Sequence, residues 1–237
     1  MTAVIDGRTG LRHLLHQMVL WRVGLRWYLV ALLGIPLVIL LATVILPGAL
    51  ASFRPTSPVR WLVTYVVVFV LTGIAGGAFF EEPGWRGFAL PRLQAQLGPL
   101  GGTVLLGCLW GLWHLPQYLV PAWSDQNGGL QPTSVGVFLL MVLALAPIMT
   151  WIFNHTHGSI LLAILAHASV NASGQVLVNQ LFPGAASTEL NYLLAFGTVA
   201  LVLIVVTRGR LGYRGGEVGV PTVHAAKAES VGSRDRL

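Results

Sequence analysis

Apolar runs of about twenty residues recur along this chain, at 27–46, 61–80, 101–120, 135–153, 159–178 and 190–207. Twenty helical residues rising 1.5 Å each cover a bilayer core of roughly 30 Å. Inside lipid a helix satisfies its own backbone, which an irregular segment cannot do. Composition points the same way: the chain is 55% hydrophobic and only 9% charged, where soluble domains carry about 25% charged residues. The expected fold is all-α: a polytopic membrane helical bundle of about six transmembrane helices, preceded by an N-terminal amphipathic helix.

Charge placement orients such a bundle. Six spans put both termini on one side. If that side is the cytoplasm, all of the 14 Lys and Arg except Arg54 and Arg60 lie in cytoplasmic segments, as the positive-inside rule requires. The net charge of +6 is therefore read as attraction to a membrane surface, and no nucleic-acid partner is expected. The expected location is the cell membrane, multi-pass, with both termini cytoplasmic. No removable signal peptide is expected. The domain plan has three parts. Residues 1–26 form a polar N-terminus and an amphipathic interfacial helix, with Leu11, Leu14, Leu15 and Met18 near helical spacing. Residues 27–207 form the transmembrane domain. Residues 208–237 form a basic, disordered tail. The single cysteine, Cys108, lies in an apolar run and is expected as a small buried residue.

Three polar clusters interrupt the apolar runs. The first is Glu81-Glu82-Pro83-Gly84-Trp85-Arg86. Charge at membrane depth costs a few kcal/mol per group or more, so it is rarely placed there without use. Adjacent helical residues point about 100° apart, so Glu81 and Glu82 cannot both face one site. Glu82 and Arg86 are four apart and share a face, although the residue before a proline avoids helical geometry. Gly73 and Gly77, small residues four apart, let another helix approach just before the carboxylates. The second cluster pairs Trp110 with His114, and the third pairs His167 with Asn171, again four apart among alanines and serines. Each cluster alone also fits a bland role: a solvated loop, a core histidine, or hydrogen-bonding glue between helices. His13 and His16, His155 and His157, and His224 are read as non-catalytic.

Together the clusters supply a base for water, a proton partner and donors for an oxyanion. Two histidines and a carboxylate also suit zinc with an open position for water; the metal candidates are Glu81, His114 and His167. A non-enzyme is the alternative: a binding or immunity protein, or a proton-coupled transporter. There is a depth conflict. Taken literally, Glu81 sits at the membrane edge, His167 about 13 Å in and His114 about 20 Å in. They meet only if the second span starts later and carries the carboxylates inward to about residue 88.

The three motifs, Glu81-Glu82-x-x-x-Arg86, Trp110-x-x-x-His114 and His167-x-x-x-Asn171, resemble those of the CPBP intramembrane proteases. That family includes the type II CaaX prenyl endopeptidases and bacteriocin-processing or immunity proteins. The resemblance covers about residues 65–178. It implies an intramembrane endopeptidase in which Glu81 activates water with His114 as partner. It implies that His167 and Asn171 meet the oxyanion and that Glu82 and Arg86 support Glu81. Zinc and a metal-independent glutamate mechanism both remain open. The implied partners are the lipid bilayer and a membrane protein or peptide substrate, lipidated in some members. Trp110 stands where phenylalanine is usual.

Overall fold

The computed structural model describes residues 2–75, 77–126, 128–183 and 188–215. Among these residues there is no strand, and the chain is an all-helical, multi-pass membrane bundle. Segments Leu25–Val44, Pro58–Leu119, Pro132–His155 and Ile160–Leu181 are long and apolar enough to cross a membrane, and Leu190–Val206 is a shorter apolar helix. Pro58–Leu119 is not one rod. It holds the helix Pro58–Ile74, a short helix Ala78–Glu82, a π-helical turn Pro83–Ala89 and a helix Leu90–His114 broken at Gly98. The six expected crossings thus correspond to helices, with a bent re-entrant piece between the second and the third.

Sequence explains most of the boundaries. Pro58 and Pro132 open helices at the first turn, where the missing N–H costs nothing. Ser159 caps the fifth span: its Oγ accepts from Leu162 N at 3.2 Å and donates to Leu20 O at 2.7 Å. Glycine-proline at 98–99 breaks the helix after the re-entrant piece, with Gly98 at φ 73°.

The fifth span, Ile160–Ala172 continued by the π turn Ser173–Val178, is the central helix. Small side chains let its neighbours close in. A Cβ on Gly73 would stand 3.2 Å from Ala168 Cβ, so the small-residue face of the second span packs on the fifth as expected. Gly107 and Gly111 bring the third span against the fourth at Ala146 and Leu139 in the same way. The second span turns Leu62, Val63, Val66, Val67 and Val70 outward, as lipid contact requires. Cys108 is also exposed, on the outer face of the third span, and not buried as its apolar surroundings suggested. Outward apolar positions are what a helix in lipid offers, so hydropathy alone cannot tell core from lipid face.

Two expectations change, one at the C-terminal end and one at the site. At the N-terminus Thr2–Ile5 is helical, and Asp6 pairs with Arg92. The amphipathic helix is Gly7–Met18, and a turn through Gly24 at φ 81° leads into the first span. Its Leu14 seats beside Gly87, where any side chain would meet Leu14 and Ile160. Residues 208–215, expected as the start of a disordered tail, form turns against the fourth span. Leu211 is fully buried, and its carbonyl accepts from Asn154 Nδ2 at 2.9 Å. Residues 216–237, with His224, lie outside the described residues. The second span does not run on to residue 88. It ends at Ile74, and the helix restarts at Ala78 after Gly77 at φ 111°, a backbone conformation that strongly favours glycine.

Candidate active site

The restart after Gly77 decides where the two carboxylates point. Glu81 and Glu82 sit on consecutive positions of Ala78–Glu82, so they diverge. Glu81 lines a cavity of about 360 Å³ together with Trp110, His114, His167 and Asn171. Glu82 turns away from it and is fully buried. The expectation that one carboxylate enters the site and the other does not is met, and the depth conflict is resolved by a helix that breaks and restarts.

Glu82 anchors a buried polar network through one oxygen, while its Oε2 and the Arg86 Nε and Nη2 are buried without a hydrogen-bond partner among the described residues. Glu82 Oε1 accepts from Arg86 Nη1 at 3.0 Å and from His167 Nδ1 at 2.8 Å. Both ends of the ion pair are fully buried. Pro83 does not prevent it. Glu82 keeps helical angles, φ −63° and ψ −35°, and the wide π turn Pro83–Ala89 follows. The wider turn relieves the crowding that a proline ring imposes on the preceding turn. The guanidinium of Arg86 lies 4.1 Å above the Trp110 ring, a favourable place for a buried cation. A carboxylate paired to arginine accepts hydrogen bonds only, so His167 must donate from Nδ1. Its Nε2 is left for other partners, and Nε2 can donate only when the ring is doubly protonated.

The Glu81 side is looser. Oε2 accepts from Trp110 Nε1 at 2.8 Å. His114 Nε2 is 4.0 Å from the same oxygen, beyond a direct hydrogen bond. His114 Nδ1 lies 2.7 Å from Trp110 O. A carbonyl only accepts, so the proton is on Nδ1 and Nε2 presents a lone pair toward Glu81. Two acceptors 4.0 Å apart suit one bridging water that donates to both. Asn171 stands one turn beyond His167 on the fifth span and lines the same cavity.

The cavity has two walls. Gln117, Gln175 and Asn179 extend the polar side, while Trp123, Phe138, Met141, Val142, Leu145 and Val170 make an apolar side. Sequence reading missed Gln117, Gln175, Asn179, Thr72 and Tyr192. A signal existed for two of them: His167, Asn171, Gln175 and Asn179 recur every four residues along one helix. None of His13, His16, His155 and His157 lines the cavity.

Zinc at the three metal candidates is not matched by the side chains as they stand. Among the described residues no three His, Cys, Asp or Glu lie close enough together to hold a metal ion.

Residues 58–173 match the family described as Type II CAAX prenyl endopeptidase Rce1-like. The match spans all three polar clusters. The CAAX prenyl protease 2 of Methanococcus maripaludis is 31% identical over 159 residues, covering 65% of this chain. The chain spans 58% of the length of that curated relative.

Proposed function

Because residues 58–173 match the type II CAAX prenyl endopeptidase, Rce1-like family, we propose that this chain belongs to that family and is an intramembrane endopeptidase of the glutamate-dependent kind. Its substrate is a membrane-associated protein or peptide carrying a lipid. The observation that carries the reading is the 4.0 Å gap between Glu81 Oε2 and the lone pair of His114 Nε2, inside a cavity that Asn171 and His167 also line.

In this mechanism a water donates one proton to Glu81 and the other to His114, which aims its oxygen lone pair at the scissile carbonyl. Glu81 removes a proton as the oxygen attacks the carbonyl carbon. The developing oxyanion accepts from the Asn171 amide and, when the His167 ring carries its second proton, from His167 Nε2–H. Glu81 then returns the proton to the leaving nitrogen as the C–N bond breaks. Arg86 holds Glu82 in place through their buried ion pair. No step is routed through a metal. The apolar wall from Trp123 to Val170 supports a lipid-bearing or strongly apolar substrate. The charge distribution supports an orientation with both termini in the cytoplasm.

The test uses the full chain in lipid vesicles with a quenched fluorogenic farnesylated peptide ending in a CaaX sequence, beside the same peptide without its lipid. Glu81→Gln is expected to lower turnover by a factor on the order of a thousand or more, and His114→Ala by roughly a hundredfold. Neither should change the melting temperature materially. Turnover retained by Glu81→Gln would overturn the mechanism. Activity lost to a chelator and restored by zinc would replace the glutamate mechanism with a metal one. Wild-type protein that binds the peptide without cutting it would favour a binding protein.

A further inference from the structure

Between the Glu81 carboxylate and the buried Glu82–Arg86 pair stands one ring, Trp110. It is 2% exposed and touches both sides. Its Nε1–H donates to Glu81 Oε2 at 2.8 Å. Its face carries the Arg86 guanidinium at 4.1 Å. The His167 ring stands edge-on to it at 5.4 Å and 79°. Its backbone carbonyl sets the His114 tautomer. A buried ring held by its N–H on one carboxylate and packed against Arg86 and His167 has little room to turn, so the direction of its N–H is fixed. The opposite oxygen, Oε1, occupies the space left by the missing side chain of Gly77, where a Cβ would stand 2.5 Å away.

We propose that the indole N–H of Trp110 is a positioning group for Glu81: it fixes the plane of the carboxylate so that Oε2 meets a water shared with His114. This rests on the endopeptidase reading. A glutamate side chain without that donor is free to rotate about its last two bonds toward the open cavity. A charged acceptor makes the hydrogen bond strong and directional. Misplacing a reacting group by about 1 Å costs on the order of a hundredfold in rate, so the effect falls on the chemical step and not on substrate binding.

Two substitutions separate the N–H from the ring. Trp110→3-benzothienylalanine replaces N–H by sulfur at nearly constant shape. Trp110→Phe removes the donor but keeps an aromatic face for Arg86. Both are assayed as full chain in vesicles with the farnesylated peptide. The expected result for each is a kcat lower by roughly ten- to a hundredfold, with KM within about twofold and, for the sulfur analogue, an unchanged melting temperature. A filler of space predicts wild-type kcat for the sulfur analogue, and that result would overturn the proposal; so would a loss carried only by KM. A second measurement needs no turnover. In protein labelled with ¹⁵N-tryptophan, the indole resonance that disappears in Trp110→Phe should lie downfield and move upfield in Glu81→Ala. A resonance that does not move overturns the proposal. A wild type that leaves the peptide uncut counts against the endopeptidase reading alone, and the indole resonance then decides the inference.

Discussion

Glu81 and Glu82 are the same residue type on neighbouring positions, yet their surroundings differ in every respect that matters for chemistry. Glu82 is fully buried, and its Oε1 meets two cationic or proton-donating partners at 2.8 and 3.0 Å. Glu81 keeps 9% of its side chain exposed, in a cavity, with one neutral donor at 2.8 Å and a histidine left at 4.0 Å. A carboxylate locked through one oxygen into a buried ion pair and a histidine contact suits orientation of a neighbour. A carboxylate with an incomplete shell has room for water and can exchange a proton. The division of labour follows from a turn of about 100° between successive helical residues. Chemistry therefore belongs to the less satisfied member.

The largest effect that separates them comes from making the same substitution one residue apart. Glu82→Gln leaves Arg86 buried without a charge partner. Removing one member of a buried pair costs about 3–5 kcal/mol, so a large drop in melting temperature is expected. Glu81→Gln removes no buried pair and should melt like wild type while losing turnover. Matching melting curves for the two variants would show that burial of Glu82 does not distinguish them.

Gly77→Ala comes next. At φ 111° an alanine is strained, typically by about 1–3 kcal/mol. Its methyl would also fall 2.5 Å from Glu81 Oε1. The flexible carboxylate yields first, so activity should fall further than stability. Turnover is expected to drop by roughly tenfold or more, with a modest loss in melting temperature. If turnover holds while stability falls, the glycine serves the helix restart alone and Glu81 does not depend on it.

This glycine also marks what the sequence could and could not disclose. The apolar runs, the Glu82–Arg86 spacing, the Trp110–His114 spacing and the His167–Asn171 spacing were all visible, because each is a local period. Their meeting in one cavity was deducible only as a requirement. The means was hidden, since hydropathy averaged over twenty residues does not register that one helix ends at Ile74 and the next starts at Ala78. Trp110 was legible as an aromatic four residues before a histidine, but not as a donor. Where an indole N–H points depends on how the third span is rotated against the re-entrant helix, and no single-chain pattern encodes that. Asp6 was unreadable for a similar reason: its partner, Arg92, lies 86 residues away.

The smallest effect concerns that second ion pair. Asp6–Arg92 joins the same residue types as Glu82–Arg86, an acid and an arginine, but its arginine side chain is 23% exposed. Arg92 also has other support: Nη1 donates to Phe88 O at 2.8 Å, and the guanidinium lies 4.0 Å over the Phe88 ring. Asp6→Asn therefore leaves no orphaned buried charge. Water reaches the Arg92 end, although the Asp6 side chain is only 6% exposed, so the loss should be smaller than for Glu82→Gln, on the order of 1 kcal/mol, and should shrink further in high salt. Thermal melting at two salt concentrations reads both effects. A cost as large as that of Glu82→Gln would mean that the pair clamps the N-terminal helix over the π turn bearing Arg86, and that exposure is the wrong measure of what an ion pair does in this bundle.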